Sequence, residues 1–221
     1  MASQPAMSSP RITIGRIHGN SRGNALLLWV PACVAGAAVG AIVAAEVRTL
    51  GASTNSNATI EALRYLATIA SAAIAAAAQW WVLRRARLDA YWWVPGTVAA
   101  QLLATILLIP SVLRLFLPVS TFQSFNPSLA QAMVIGGVAL AAGGLLVGGA
   151  QAFILRKSVG RSAWLWVPAS MVGGALAGSV TSALSSHFLM LAPLVAVGLA
   201  AATGSVLVAA SQLVVLIRLV R

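Results

Sequence analysis

Four glutamines, Gln79, Gln101, Gln151 and Gln212, carry the chemistry that this sequence places inside its apolar stretches. A primary amide donates and accepts hydrogen bonds at once. It is costly against lipid, so each glutamine is expected to point into the protein. Gln79, Gln151 and Gln212 stand roughly one to two helical turns inside one end of their stretches. They are expected to bond one another or neighbouring backbone carbonyls, as interhelical glue worth about 0.6–2 kcal/mol each. The alternative is a polar vestibule for a solute. Gln101 lies about ten residues into the third stretch, near the middle of a bilayer-length helix. It is the deepest strongly polar side chain and the best single candidate for a ligand contact.

Other reactive groups are poorly placed for catalysis. The carboxylates Glu46, Glu61 and Asp89 lie at stretch ends or in a turn. Ion-coupled carriers and proton pumps need one near the middle. Glu61 and Arg64 share a helix face and are expected to pair or to sit among headgroups, as are Glu46 and Arg48. His18 falls in the tail and His187 in an outer loop, so no histidine pair offers a metal or haem site. His187 beside Ser185 and Ser186 lacks a supporting acid. Cys33 is the one cysteine and reads as a small packing residue. No phosphate-binding glycine loop is present. The expectation is a non-enzyme with no catalytic, cofactor-binding or metal-binding residue.

The elements that hold these side chains are legible from composition. The chain is 60% hydrophobic and 8% charged, with a mean hydropathy of +0.92. A soluble domain needs about 25% charged residues for its surface. Apolar runs fall at about 25–45, 60–83, 91–117, 129–155, 163–184 and 190–217. Each is close to or above the roughly 20 residues that cross a bilayer as helix, and no barrel-like alternation is present. The formal net charge is +11. Its carriers sit at the ends of apolar runs, which argues for a topology signal and against nucleic acid. Eleven basic residues (Arg11, Arg16, Arg22, Arg84, Arg85, Arg87, Arg156, Lys157, Arg161, Arg218 and Arg221) fall on one side, against Arg48, Arg64 and Arg114 on the other. The expectation is an all-α polytopic protein with six transmembrane helices, N-in and C-in by the positive-inside rule, and the Arg and Ala bias suggests a bacterial inner membrane. Residues 1–24 form a basic, polar tail expected to be disordered and cytoplasmic, and 25–221 form the bundle. The first run is expected to be retained rather than cleaved, because it is longer than a usual signal core.

A short signature recurs. Trp29-Val30-Pro31, Trp93-Val94-Pro95 and Trp166-Val167-Pro168 open the odd runs, with proline in a first helical turn. Gln79 to Leu83-Arg84, Gln151 to Leu155-Arg156, and Gln212 with Leu216 and Arg218 close the even ones. The unit is a helical hairpin, repeated at about 25–84, 91–156 and 163–218 in one orientation. A threefold arrangement about the membrane normal is expected, and hairpins in a row would contradict it. Gln79-Trp80-Trp81-Val82-Leu83-Arg84 and Trp92-Trp93-Val94-Pro95 resemble the hairpins of uncharacterised multi-spanning bacterial membrane proteins. That resemblance implies a helical membrane bundle and brings no activity or substrate. The seven tryptophans, Trp29, Trp80, Trp81, Trp92, Trp93, Trp164 and Trp166, are expected as interface anchors on the basic side.

Glycines spaced four apart, Gly36 and Gly40, Gly144 and Gly148, Gly174 and Gly178, permit close helix approach. They are expected to pack within the chain, or to dock another subunit or a flat ligand. The leading functional expectation is a non-catalytic scaffold or accessory subunit. Its partners would be the lipid bilayer, other membrane subunits or a second copy, with no nucleic acid. The alternative is a passive channel or carrier for a small neutral solute. A polar path along the bundle axis would favour the second.

Overall fold

The computed structural model describes residues 26–52, 56–116, 128–188 and 193–220. Expectations for the tail 1–24 concern residues outside these ranges. The described chain is helical: α1 (Trp29–Ala52), α2 (Asn57–Arg85), α3 (Trp93–Leu103), α4 (Ile109–Phe116), α5 (Leu129–Val159), α6 (Trp166–Phe188) and α7 (Pro193–Val220). A π-helical turn, Ala104–Leu108, joins α3 to α4, and a 3-10 segment, Gly160–Leu165, joins α5 to α6. His187 therefore belongs to the last turn of α6 rather than to a loop.

Five helical stretches are long and apolar enough to cross a membrane: Trp29–Val47, Asn57–Arg85, Trp93–Leu115, Leu129–Leu184 and Gly198–Leu219. The fourth has 56 residues. Drawn straight it would measure about 84 Å, far more than a bilayer core of about 30 Å. It instead doubles back at the 3-10 segment. Gly144 on α5 faces Ser170 on α6, and Gly136 faces Ser182, so the two arms run antiparallel.

The helices form a closed ring. α1 packs on α2, α2 on α3, α3 and α4 on α5, α5 on α6, α6 on α7, and α7 returns to α1. Hairpins set in a row would leave α1 and α7 apart. The outward surface carries Leu27, Leu107, Leu115 and Val134, which suits lipid contact.

Glycine sets the closest approaches. A Cβ on Gly36 would stand 2.9 Å from Ala78 Cβ, and one on Gly40 would stand 2.8 Å from Ser71 O, so α1 lies backbone-close to α2. Gly144 and Gly148 face Ser170 on α6, and Gly174 and Gly178 face Leu140 and Gly136 on α5. These glycines are thus turned toward helices of the same chain.

Two backbone details have local causes. Pro110 has no N–H to give Ile106 O, and its ring would strike that carbonyl. The helix widens just before it, and Ile109 N–H reaches back to Ala104 O. An apolar run gives no sign of such a turn beyond the proline itself. At the other end of α5, Gly160 adopts φ 69° and ψ −147°, a region nearly closed to other residues. Gly160→Ala should lower stability by about 1–3 kcal/mol. A denaturation midpoint in detergent equal to wild type would contradict that expectation. At its start, α5 is fixed by a reciprocal cap in which Ser128 Oγ accepts from Gln131 N–H and Gln131 Oε1 accepts from Ser128 N–H.

Candidate functional site: a tryptophan–glutamine tier beneath a chamber

α1, α3 and α6 each begin at a tryptophan, and the first turn aims that indole at the ring axis. Trp29, Trp93 and Trp166 are wholly buried. Their rings meet edge to face, with centroids 6.3 Å apart for Trp29–Trp93, 5.5 Å for Trp29–Trp166 and 6.0 Å for Trp93–Trp166. Such T-shaped pairs satisfy the ring quadrupoles and add about 0.5–1.5 kcal/mol each beyond burial. Leu83, Leu155 and Leu216, each four residues after its glutamine, are fully buried in the same cluster.

These three tryptophans correct the anchoring expectation. An anchor keeps its ring at the lipid surface, whereas these close the bundle's axis. Trp81, Trp92 and Trp164 are the exposed ones, at 45%, 61% and 50%, and Trp80 is half-buried. Arg84 lies over Trp80, Arg85 over Trp81 and Arg156 over Phe153, at 5.2, 4.2 and 4.2 Å from the ring centroids. The basic end therefore holds its cations against aromatic faces of the same helix.

Gln79 and Gln151 bond tryptophans, and Gln212 bonds a serine hydroxyl. Trp93 Nε1–H donates to Gln79 Oε1 at 3.2 Å, and Trp166 Nε1–H donates to Gln151 Oε1 at 2.8 Å. α2 and α5 thus each hold the tryptophan of the following hairpin. The amide nitrogens turn back to their own hairpin. Gln79 Nε2 donates to Cys33 Sγ at 3.5 Å, Gln151 Nε2 to Thr97 Oγ1 at 3.2 Å, and Gln212 Nε2 to Ser170 Oγ at 3.0 Å. Gln151 Nε2 also reaches Gln79 Oε1 at 3.5 Å.

Cys33, Thr97 and Ser170 were not singled out together by their residue types. Each stands four positions after its tryptophan, in Trp29-Val-Pro-Ala-Cys33, Trp93-Val-Pro-Gly-Thr97 and Trp166-Val-Pro-Ala-Ser170. The spacing was the available signal. The cysteine is therefore more than filler: its sulfur accepts the bond that a hydroxyl accepts in the other two hairpins.

Above this tier, on the side away from the basic clusters, the ring surrounds a half-open chamber of about 570 Å³. Alanine is the commonest residue of its wall, with polar points at Thr68, Ser71, Gln101, Thr105 and Thr181. Gln79, Thr97, Gln151 and Gln212 form its floor. None of the described residues lining it is charged. Along α2 it runs from Ala67 to Gln79, about 18 Å at 1.5 Å per residue. Gln101 is half-buried on this wall, two turns past Trp93. The positions eight residues after the other two tryptophans are Ala37 and Gly174, so Gln101 breaks the repeat.

Among the described residues, no group of three or more His, Cys, Asp or Glu side chains could hold a metal ion. Glu61 and Arg64 form an exposed pair at 3.6 Å, far from the tier in sequence and in helix position. Fold and site together define a helical bundle with the length and apolarity of a multi-pass membrane protein, ringed around an uncharged chamber. No known protein family, curated protein or solved structure matches this chain.

Proposed function

We propose that this protein crosses a bacterial inner membrane six times, with the basic end and both termini in the cytoplasm, and that its chamber takes a small uncharged solute. The observation that carries this reading is the chamber on the ring axis, lined by alanine, threonine and glutamine without a charge. Its volume of about 570 Å³ lies in the range of small-molecule sites. Amide and hydroxyl groups on an otherwise apolar wall fix orientation without the desolvation cost of an ion. The tryptophan tier closes the basic end, so passage into the cytoplasm requires those rings to part. Among the described residues no carboxylate lines the chamber, which favours passive movement over ion coupling.

The scaffold reading drew on glycine faces free for a partner. Gly36, Gly40, Gly144, Gly148, Gly174 and Gly178 pack against helices of this chain, and the reading loses that support.

Purified protein in lipid vesicles tests the proposal by stopped-flow light scattering with glycerol and urea as probes. The expected result is solute entry at least tenfold above protein-free vesicles. Ala72→Phe, which fills the chamber wall, should return it to background. Gln101→Leu should reduce it several-fold while leaving the yield of folded protein unchanged. Wild-type protein that is folded, correctly inserted and no more permeable than bare lipid would restore the scaffold reading.

A further inference from the structure

A second cavity, of about 470 Å³, opens at the basic end, between the start of α3 and the last turns of α5. It is half-open and shares no lining residue with the chamber. Gly96 and Ile154 form part of its wall. Gly96 stands where the other two hairpins carry Ala32 and Ala169. A Cβ there would come within 2.8 Å of Ile154 Cδ1, so the missing methyl keeps this space open. The cavity carries two charges of opposite sign, Asp89 and Lys157. The turn before α3 is tied to the end of α5 beside them. Asp89 N–H donates to Ser158 Oγ at 3.0 Å, and the Ser158 hydroxyl donates to Asp89 O at 3.3 Å. Both bonds use the backbone of Asp89, and its carboxylate forms no ion pair with Lys157; among the described residues Glu61 and Arg64 make such a pair. The chain has three carboxylates, and Glu46 and Glu61 belong to the opposite end of the ring.

We propose that this cavity holds the headgroup of a phospholipid bearing a primary ammonium, of the phosphatidylethanolamine kind, drawn from the leaflet at the basic end. The inference rests on the membrane placement proposed above and makes no use of the chamber. Lys157 meets the lipid phosphate and Asp89 meets the lipid ammonium, so one ligand answers both charges. Tyr91 and Trp92 on the same wall are 77% and 61% exposed, as rings at headgroup depth are. A lipid charged only at its phosphate would answer Lys157 and press like charge on Asp89. A trimethylammonium head has no N–H for the carboxylate and seeks bare ring faces instead. Here Arg156 already lies over Phe153 at 4.2 Å from its centroid, and Tyr91 and Trp92 pack edge to face on each other at 5.3 Å.

The test is native mass spectrometry of the purified chain, equilibrated in mixed micelles with equal amounts of phosphatidylethanolamine, phosphatidylglycerol and phosphatidylcholine of one acyl composition. The expected result is retention of the ethanolamine lipid over each of the others by about fivefold, the upper end for one exposed ion pair. Asp89→Asn, which keeps the backbone bonds to Ser158, should abolish that preference without lowering retention of the glycerol lipid. Lys157→Gln should lower retention of the ethanolamine lipid, and it carries the comparison if Asp89→Asn does not accumulate. Glu61→Gln, at the other end, should change nothing. Wild type that retains the glycerol lipid as well as the ethanolamine one would mean that basic residues alone draw lipid, which overturns the site. Equal retention of the choline lipid, or variants that match wild type, overturns it too. Folded protein that retains no lipid overturns the site and leaves the chamber standing, since solute entry is read separately. A chain that stays monodisperse without detergent would overturn the membrane placement and the site with it.

Discussion

Gly178→Leu should remove the folded protein, leaving aggregate or degraded chain where wild type gives a single sharp size-exclusion peak. A Cβ at this position would collide with the carbonyl of Gly136 and stand 3.0 Å from Gly137 N. Both neighbours are backbone, so no rotamer change relieves the clash. α5 and α6 would have to separate along their shared face, where Gly144 and Gly174 also lie against backbone. Overpacking in a core costs about 1–3 kcal/mol where side chains can shift. Here the upper end or more is expected, because the helix backbones themselves must move. Gly149 is the matched control. It lies on the same helix as Gly144, yet a Cβ there would meet nothing within 4 Å. Gly149→Ala should leave stability unchanged or slightly raised, since alanine is the better helix former by about 1 kcal/mol. Equal behaviour of Gly178→Leu and Gly149→Ala would mean that the α5–α6 contact is not what holds the ring together.

The second large effect belongs to Gln151, the most connected side chain of the tier. It accepts from Trp166, donates to Thr97 and reaches Gln79. Gln151→Leu keeps most of the volume and strands the indole N–H of Trp166 in an apolar interior. An unsatisfied buried donor costs roughly 1–3 kcal/mol, and the lost bond to Thr97 adds to it. A drop of about 2–4 kcal/mol in unfolding free energy is expected on that basis. A double-mutant cycle separates the bond from the volume change. Trp166→Phe removes the donor, so Gln151→Leu should cost at least 1 kcal/mol less in that background, roughly the coupling of a buried pair. Strict additivity would show that the two residues do not act as a pair. The same cycle on Trp29 and Gln212 should show little coupling, because no bond joins them.

Much of this arrangement was legible in the residues, and the remainder was hidden for identifiable reasons. The hairpin unit shows in the Trp-Val-Pro starts and the glutamine-to-leucine ends, because helix starts and interior amides leave local marks. Which tryptophan meets which glutamine is a matter of neighbours in space. Gln79 and Trp93 lie 14 residues apart, but they belong to different hairpins, and a hairpin reading looks inward. Trp29, Trp93 and Trp166 looked like anchors because interface position and burial at a helix end share one sequence signature. The trio Cys33, Thr97 and Ser170 was concealed by using three residue types for one acceptor role. Gln101 stood out in the sequence as a polar residue deep in its apolar run, and it lines the chamber wall, where the repeat spacing gives Ala37 and Gly174 as its counterparts. The widened turn before Pro110 depends on how a helix relieves one missing donor, and composition does not encode that choice.

The direction of the bonds has a consequence for how such a ring can be built. The second and third units each offer an indole to an amide oxygen of the unit before them, a head-to-tail contact made in two of the three sectors, while helix packing alone closes the third. Contacts of that kind assemble cyclic oligomers when the rotation between units closes. A single hairpin such as α6–α7 already holds one tryptophan, one small acceptor and one glutamine. Three copies of it contain every part needed to form the same tier without a covalent link. The chain is in effect a tethered trimer. Tethering lets one segment, the one bearing Gln101, differ from its siblings, which a symmetric trimer of identical subunits could never do.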